Sequence, residues 1–328
     1  MASINLKDEK YWGKLSSPAY WEKRAKEIDL QNKKTEQEVL KELNNAYKRA
    51  SDAISADINE FIIKYATDNK IDYTTATQVL TPIEISEYNQ RIADLKALYQ
   101  DSGNERLKRE IDKLNARLKV TRLQALNDKI NIEMSKLSHE FETTLRDTMT
   151  NLVINGHGEV AQLLGVMQPI IHTTALEAII NYPYHGKMFA DSVWDNKDAL
   201  CKWIENELTT AIVRGDSIQK TARRLKKDLG VKYYYQAERL VRTETNYAVN
   251  QGHLQGYKDS GVCEKYEILA HLDKRTSKIC KGWVECEPKD RTFKLNEAVV
   301  GKNYPPFHPN CRTTVMPVVN WEQFGVYF

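Results

Sequence analysis

Three of the five cysteines lie in a short C-terminal block that also contains a histidine and several turn-forming residues. Cys280, Cys286 and Cys311 occur there together with His308, which precedes Cys311 by three residues in the motif HPNC. Zinc prefers thiolate and imidazole ligands in a tetrahedron, so Cys280, Cys286, His308 and Cys311 form a candidate metal site. The five residues between Cys280 and Cys286 exceed the usual spacing of a zinc ligand pair. Buried thiols with a histidine bonded to backbone carbonyls are the structural alternative.

The same block contains residues that could act in nucleophilic catalysis. Cys280, His308 and Asp273 could form a Cys-His-Asp set, although a triad is defined by geometry rather than by composition. Asp273 or His271 could instead replace one of the cysteines as a metal ligand. The chain has no glycine-rich phosphate loop, nucleophile elbow or HExxH motif. We therefore predict that the protein is not an enzyme, with a Cys/His-dependent hydrolase as the alternative.

The composition is that of a globular protein with a substantial core. Of 328 residues, 41% are hydrophobic and 28% are charged, and the net charge is only +3, too small by itself to indicate a polyanionic partner. No run of 18 apolar residues occurs, which predicts no membrane span, and the N-terminus lacks the apolar segment of a secretory signal. Five unevenly spaced cysteines argue against a disulfide framework and favour folding in reducing cytosol.

The N-terminal half has the periodicity of long amphipathic helices. Apolar residues recur every three or four positions from Val39 to Tyr65, and Thr35 with Glu38 predicts a capping box at the start of that helix. Thr81-Pro82-Ile83-Glu84 predicts a second helix start. A third stripe from Leu107 to Met149 predicts one long helix in a bundle or hairpin, ended by Gly156 and Gly158.

The C-terminal half changes from helices to short strands. Helices are predicted within Gly186–Leu229, where Gly215 separates two of them, and over Tyr233–Lys258. Alternating apolar residues then predict strands at Lys265–Leu272, Arg291–Leu295 and Arg312–Val319. We predict an α+β fold with an elongated helical region over 1–155 and an α+β domain over 156–328. In that domain, helices extend to about 260 and a β-rich block with a small antiparallel sheet covers 262–320.

Clustered cations give the clearest charge bias. In the pair of helices predicted after Gly215, eight cations face only Asp228 and Glu238: Lys220, Arg223, Arg224, Lys226, Lys227, Lys232, Arg239 and Arg242. A weaker excess occurs between Arg106 and Lys129. Such stripes can contact the phosphates of double-stranded DNA without sequence preference. A solvated helix face is the structural alternative.

Several of these motifs together resemble a phage protein family. The segments RLVRTETNYAVNQGHLQGYKDSGV, LDKRTSKIC and GKNYPPFHPNCRTT resemble the Mu F-like minor head proteins of tailed bacteriophages. The resemblance covers about Tyr184 to Thr314, and AYWEKRAKE near the N-terminus is similar to the family's first segment. It implies structural roles for the motif residues Arg242, Glu244, Asp273, Arg275 and Thr276. Ion pairs of the first two could connect their helix to the β-rich block.

The resemblance also implies a function. Its members are head morphogenesis proteins that associate with the portal inside the procapsid, and in some phages they leave with the DNA. The expected partners are therefore portal, capsid or scaffold proteins and DNA, and the expected location is the interior of the phage head after synthesis in the host cytoplasm. Many relatives carry Cys-x-x-Cys after the Asp-x-Arg-Thr element, where this chain has Ser277 and Cys280. A zinc- or cysteine-dependent effector acting in the host, and a zinc-stabilised interaction module without DNA contact, are the alternatives.

Overall fold

A computed structural model describes residues 15, 17–68, 70–166, 170–270 and 272–319. Helices dominate these residues. They are α1 (Pro18–Tyr65), α2 (Tyr73–Ala76), α3 (Pro82–Ser102), α4 (Glu105–Asn115), α5 (Arg122–Leu164), α6 (Thr173–Ile180), α7 (Phe189–Arg214), α8 (Ile218–Ser260) and α9 (Lys278–Glu285). None of the helices in this part of the chain is long and apolar enough to cross a membrane.

The strands form one small antiparallel sheet in the order β2-β1-β3. They are β1 (Cys263–Leu269), β2 (Thr292–Lys294) and β3 (Thr314–Val319). The central strand pairs with β3 along most of its length, from Leu269 opposite Thr314 to Cys263 opposite Val319, but with β2 over three residues only. The predicted α+β fold, helical first and with a small C-terminal antiparallel sheet, is confirmed.

The chain divides into two compact units. The sheet unit comprises Met1–Leu40, Leu145–Phe189 and Glu238–Phe328, and the helical unit comprises Lys41–Thr144 and Ala190–Ala237. Helices α1, α5 and α8 contribute residues to both units. The division at residue 155 stays a prediction, because this grouping follows contacts and not the extent of a homologous domain.

The core of the sheet unit forms where α5 and α8 pack against the sheet. Large buried side chains come from all of these elements, among them Leu164, Tyr257, Tyr266, Tyr304 and Val315. Tyr304 donates a hydrogen bond of 2.7 Å to the carbonyl of Asn250, which satisfies its hydroxyl inside the core. This core supports the loop block that carries the cysteines.

Two predicted helix boundaries are confirmed, whereas a predicted helix start and a predicted continuous helix are wrong. Thr81 and Glu84 form the predicted capping box, and an αL glycine at 215 follows α7. However, α1 begins at Pro18, so Thr35 lies inside the helix, where its hydroxyl donates to the carbonyl of Gln31. The single long helix predicted from the stripe Leu107–Met149 is also interrupted, because α4 ends at Asn115 and Leu118 is fully exposed in the following turn.

Glycines predicted to end helices lie within them instead. At Gly156 in α5, an added Cβ would lie 3.1 Å from the carbonyl oxygen of Val249 in α8, so the glycine permits close packing of the two helices. Gly230 does not separate two helices either, since α8 continues through it. A Cβ added to Gly230 would lie 3.2 Å from the hydroxyl oxygen of Tyr47. Interhelix contact explains both glycines better than termination does.

Candidate functional site

Two cysteines and a histidine of the C-terminal block converge in the sheet unit. The Cys280 Sγ lies 3.1 Å from the Nε2 of His308 and 3.8 Å from the Sγ of Cys311. All three potential ligand atoms lie within 4.8 Å of one another. Cys280 and Cys311 are buried and His308 is partly exposed, so the cluster is placed at the edge of the core.

Local backbone structure positions each member of this cluster. Ser277 caps α9, and its hydroxyl accepts a hydrogen bond of 3.1 Å from the backbone N–H of Cys280 in the first turn. Asn310 adopts a left-handed conformation with φ of 61°, and the N–H of Cys311 donates to the carbonyl of His308. The HPNC segment is therefore a tight turn that brings its histidine and cysteine to the N-terminus of α9.

The histidine is held in the tautomer that a metal ligand needs. Its Nδ1 lies 2.8 Å from the carbonyl oxygen of Pro309, which can only accept, so Nδ1 carries the proton. The Nε2 of His308 then presents its lone pair toward Cys280 and toward the Ser277 hydroxyl, 2.8 Å away. A backbone carbonyl that fixes the outer ring nitrogen is the usual arrangement behind a zinc-binding imidazole.

The two thiols are electrostatically coupled. A hydrogen bond from Cys280 lowers the pKa of Cys311 to about 6, while donation of that bond and burial raise the pKa of Cys280. One of the two sulfurs therefore ionises far more readily than the other. Two sulfurs and one imidazole nitrogen suit zinc, with Cys280, His308 and Cys311 as the residues that would hold it.

The remaining candidate ligands lie elsewhere or are occupied. The thiol of Cys286 donates to the carbonyl of Trp283 at 3.2 Å and is not part of the cluster, because it follows the last turn of α9. Both carboxylate oxygens of Asp273 accept from Arg312, at 2.6 and 2.9 Å. Asp273 therefore does not complete a triad with His308. His271 lies outside the described residues.

The Asp-x-Arg-Thr element forms a turn clamped to the HPNC segment. Within the turn, the N–H of Arg275 donates to the Asp273 carboxylate at 2.7 Å and the N–H of Asp273 donates to the Thr276 hydroxyl at 2.8 Å. Hydrogen bonds from Arg312 hold the pKa of Asp273 well below its usual range. Arg312 directly follows Cys311, so this bidentate ion pair fixes the two motifs relative to each other.

The family motif that contains Arg242 and Glu244 contacts the β-rich block through residues next to these two. The hydroxyl of Thr243 accepts from the N–H of Asn310 at 3.0 Å. Asn246 and Asn250 both donate their side-chain amides to the carbonyl of Thr313, at 3.1 and 3.2 Å. Sequence reasoning missed these three residues, although their spacing of three and four positions places them on one helix face.

Arg242 and Glu244 have other partners. Arg242 forms ion pairs with Glu36 at 3.3 Å and with Glu238 at 2.8 Å. Glu244 is buried, which raises its pKa to about 7, and a hydrogen bond with Tyr184 opposes that shift only in part. Connection of the helix to the β-rich block is thus made by hydrogen bonds of Thr243 and the two asparagines.

The predicted DNA-contacting cations differ in their environments. Within the helical unit, Arg224 pairs with Glu207, Lys226 pairs with Asp52 at 2.9 Å, and Lys232 lies over the ring of Trp203. Three others are exposed on α8 and form no ion pair within the described part of the chain: Lys220, Arg223 and Lys227. Arg239 and Arg242 belong to the sheet unit.

The weaker cationic excess is largely neutralised inside the helical unit. Arg106 pairs with Glu142 and Asp191, Arg117 pairs with Asp128, and Arg122 pairs with Glu84. These contacts account for much of the charge between Arg106 and Lys129. The exposed trio on α8 is consequently the better candidate for contact with phosphates.

Comparison with known protein families finds a match in the C-terminal part of the chain. Residues 202–316 match the family described as Phage Mu protein F like protein, which confirms the resemblance over this range. This Mu F-like segment contains the trio on α8, the three residues that contact the β-rich block, and the Cys-His-Cys cluster.

A curated relative has a name that indicates a different activity. The protein named NAD(+)--arginine ADP-ribosyltransferase EFV from Enterococcus faecalis (strain ATCC 700802 / V583) is 26% identical over 201 residues, 58% of this chain. The matched part is 40% of that protein, so the chain spans less than half of the relative's length. No solved structure matches the chain.

Proposed function

We propose that this chain is a minor phage head component that associates with the portal in the procapsid, acts in head morphogenesis and DNA ejection, and contacts double-stranded DNA without sequence preference. The observation that carries the DNA contact is the trio Lys220, Arg223 and Lys227. Its members are exposed within the matched family segment and are not neutralised by acids in the described structure. Free cations on one helix face suit a phosphate backbone, because each contact releases condensed counterions.

The DNA contact is tested by the salt dependence of duplex binding. Each phosphate contact contributes about −0.9 to the slope of log K against log salt, so replacing the trio with glutamine should reduce the slope by about 2.7 in magnitude. A matched control replaces Lys41, Lys48 and Lys96, which are also exposed in the helical unit, with glutamine. An equal loss in both triple variants, or no duplex binding at low salt, would overturn this contact.

The portal association is tested by purification of empty procapsids. We expect the chain to co-purify with the portal after the capsid shell is dissociated, and to be absent from particles assembled without portal. Recovery with the shell protein alone would contradict the proposal, although it would leave the assignment as a head protein intact.

We also propose that zinc stabilises the sheet unit, held by Cys280, His308 and Cys311. Zinc would cross-link α9 to the HPNC turn, in addition to the hydrogen bonds that connect these segments. Purified protein should contain about one equivalent of zinc, and Cys280→Ser or Cys311→Ser should remove it. Cys286→Ser is the matched control and should retain it. Less than about a tenth of an equivalent in the unsubstituted protein would exclude this site.

An enzyme acting in the host is the second candidate, favoured by the similarity to the ADP-ribosyltransferase from Enterococcus faecalis. Its test is release of nicotinamide from NAD⁺ in the presence of an arginine-containing peptide. Turnover that Cys280→Ser or His308→Ala abolishes without unfolding would assign the activity to the cluster. Absence of NAD⁺ turnover, with or without the peptide, would remove this candidate.

A further inference from the structure

The exposed face of α8 continues beyond the cationic trio into aromatic and apolar residues. Val231, Tyr234 and Tyr235 expose 67%, 48% and 65% of their surfaces. Together with Lys220, Arg223 and Lys227 they form a stripe, which we call the α8 face. Most of its members recur at steps of three or four residues, so they lie on one side of the helix. All of them belong to the helical unit.

The exposed tyrosines are not required by the core. In the run Tyr233-Tyr234-Tyr235, only Tyr233 is buried, where its ring stacks on Tyr47 with centroids 4.8 Å apart. The other two rings project from the opposite part of the helix surface, next to exposed Val231. Neighbouring exposed apolar side chains of this size on a soluble helix are typical of a contact surface.

The charge of the α8 face selects its partner. Asp228 is the only acid between Ile218 and Ala237, and it is not among the residues of the stripe. The surface therefore combines three cations that form no ion pair within the described part of the chain with two exposed aromatic rings. Neutral lipid or a basic protein has no negative charge to attract the cations. A polyanion with exposed aromatic faces can form ion pairs with the cations and stack on the tyrosine rings.

We propose that the α8 face binds unpaired DNA. Lys220, Arg223 and Lys227 contact successive phosphates, and Tyr234 and Tyr235 stack on bases that a duplex would keep inside its own stack. From Lys220 to Tyr234 the helix rises about 21 Å at 1.5 Å per residue, which is long enough to lie along several nucleotides of one strand. This inference rests on the proposed DNA contact and adds a preference for unpaired over double-stranded DNA.

The test compares three labelled probes of equal length by fluorescence anisotropy with the full chain. They are an oligothymidylate, an abasic oligonucleotide with the same phosphates, and a duplex. We expect the oligothymidylate to bind most tightly. Tyr234→Ala with Tyr235→Ala should weaken its binding about fivefold or more and leave abasic binding unchanged, because only stacking is lost.

Matched variants separate stacking from folding and from charge. Tyr73→Ala removes a tyrosine that is 51% exposed elsewhere in the helical unit and should have no effect on binding. Tyr234→Phe with Tyr235→Phe retains the rings and should retain binding. Each variant is used only if its thermal unfolding midpoint equals that of the unsubstituted protein.

The outcomes distinguish this inference from the proposed function. Duplex binding as tight as oligothymidylate binding, with no effect of the double alanine variant, would overturn the inference and leave non-specific DNA contact standing. Displacement of oligothymidylate by polyglutamate of equal charge would also overturn it, since any polyanion would then suffice. Failure of all three probes to bind at low salt would overturn the proposed DNA contact itself.

Discussion

The side chain of Glu244, on α8, is buried in the sheet unit. Its burial leaves one carboxylate oxygen without a hydrogen-bond partner in the described structure, and the neutral form is therefore favoured in the folded state. The residue belongs to the family motif that also contains Arg242, yet it does not contact the Cys-His-Cys cluster. Its effect on the protein should accordingly appear in stability and not in metal content.

The titration of Glu244 makes a pH-dependent contribution to stability. Its pKa is raised to about 7 in the folded chain, so its contribution is complete below the unfolded value near 4.5 and is lost as the pH rises toward 7. In the unsubstituted protein this titration should lower the free energy of unfolding by about 3 kcal/mol between pH 5 and pH 8. We expect Glu244→Gln to abolish this decrease. Urea unfolding at both pH values measures this difference.

A control for this prediction is Glu285→Gln, which neutralises an exposed carboxylate of the sheet unit. Its pH dependence should parallel that of the unsubstituted protein. If the curve of Glu244→Gln is parallel as well, Glu244 has the same pKa in the folded and unfolded states, and the burial argument is wrong.

The residues of the cluster were predictable to different degrees. His308 and Cys311 lie three positions apart, so local turn geometry sufficed to bring them together. Cys280 lies in the first turn of α9, and the cap of that helix, Ser277, is a start signal present in the sequence. Cys286 could not be assigned from spacing, since its position depends on how the chain leaves α9.

At the scale of elements, strands were predicted better than helix ends. Alternating polarity located all three strands to within a few residues, because the sheet has one buried face. Helix ends failed where tertiary contact overrode a local signal. The glycines in α5 and α8 resemble terminators in the sequence, and their role is visible only when the partner helix is known.

The contact between α5 and α8 depends on Gly252. An added Cβ there would lie 2.5 Å from the carbonyl oxygen of Val153 and 3.1 Å from the backbone nitrogen of His157. Gly252→Ala should therefore separate the helices and destabilise the sheet unit by about 1–3 kcal/mol, as overpacking of a close contact does. Chemical denaturation followed by circular dichroism measures the change.

Gly282 in α9 provides the matched control. An added Cβ at this position meets no atom within 4 Å, and alanine is the better helix former by up to about 1 kcal/mol. Gly282→Ala should leave stability unchanged or raise it. An unfolding midpoint of Gly252→Ala equal to that of Gly282→Ala would contradict the close packing of the two helices.

At the scale of the whole molecule, the Mu F-like segment does not coincide with one compact unit. Residues 202–237 of the match belong to the helical unit and residues 238–316 to the sheet unit. The proposed DNA contact and the proposed zinc site thus lie in different units. Each is expected to respond to its own substitutions, so loss of zinc binding should not by itself alter the salt slope of DNA binding.

Removal of zinc should expose the loop block to proteases. Between β1 and β3 the chain has little regular secondary structure, mainly one short helix and a three-residue strand, and the cluster joins the helix to the HPNC turn. We expect 1,10-phenanthroline to accelerate trypsin cleavage within residues 272–313, for instance after the exposed Lys278 or Lys281. Mass spectrometry of the fragments locates the cleavage.

Cysteine variants provide the controls for this digestion. Cys280→Ser should be cleaved rapidly with or without the chelator, and Cys286→Ser should behave like the unsubstituted protein. Identical cleavage rates with and without the chelator in the unsubstituted protein would show that the cluster does not hold these loops through a metal.

The pairing of Arg312 has a consequence for the order of folding during synthesis. Besides Asp273, Arg312 contacts Asp29 of α1 with 3.5 Å between Nη1 and Oδ2. These two residues are 283 positions apart in the chain, and contacts of such separation form slowly because a long loop must close first. On the ribosome, this ion pair therefore cannot form until nearly the whole chain has been made, so the contact of α1 with the HPNC segment is completed only at the end of synthesis.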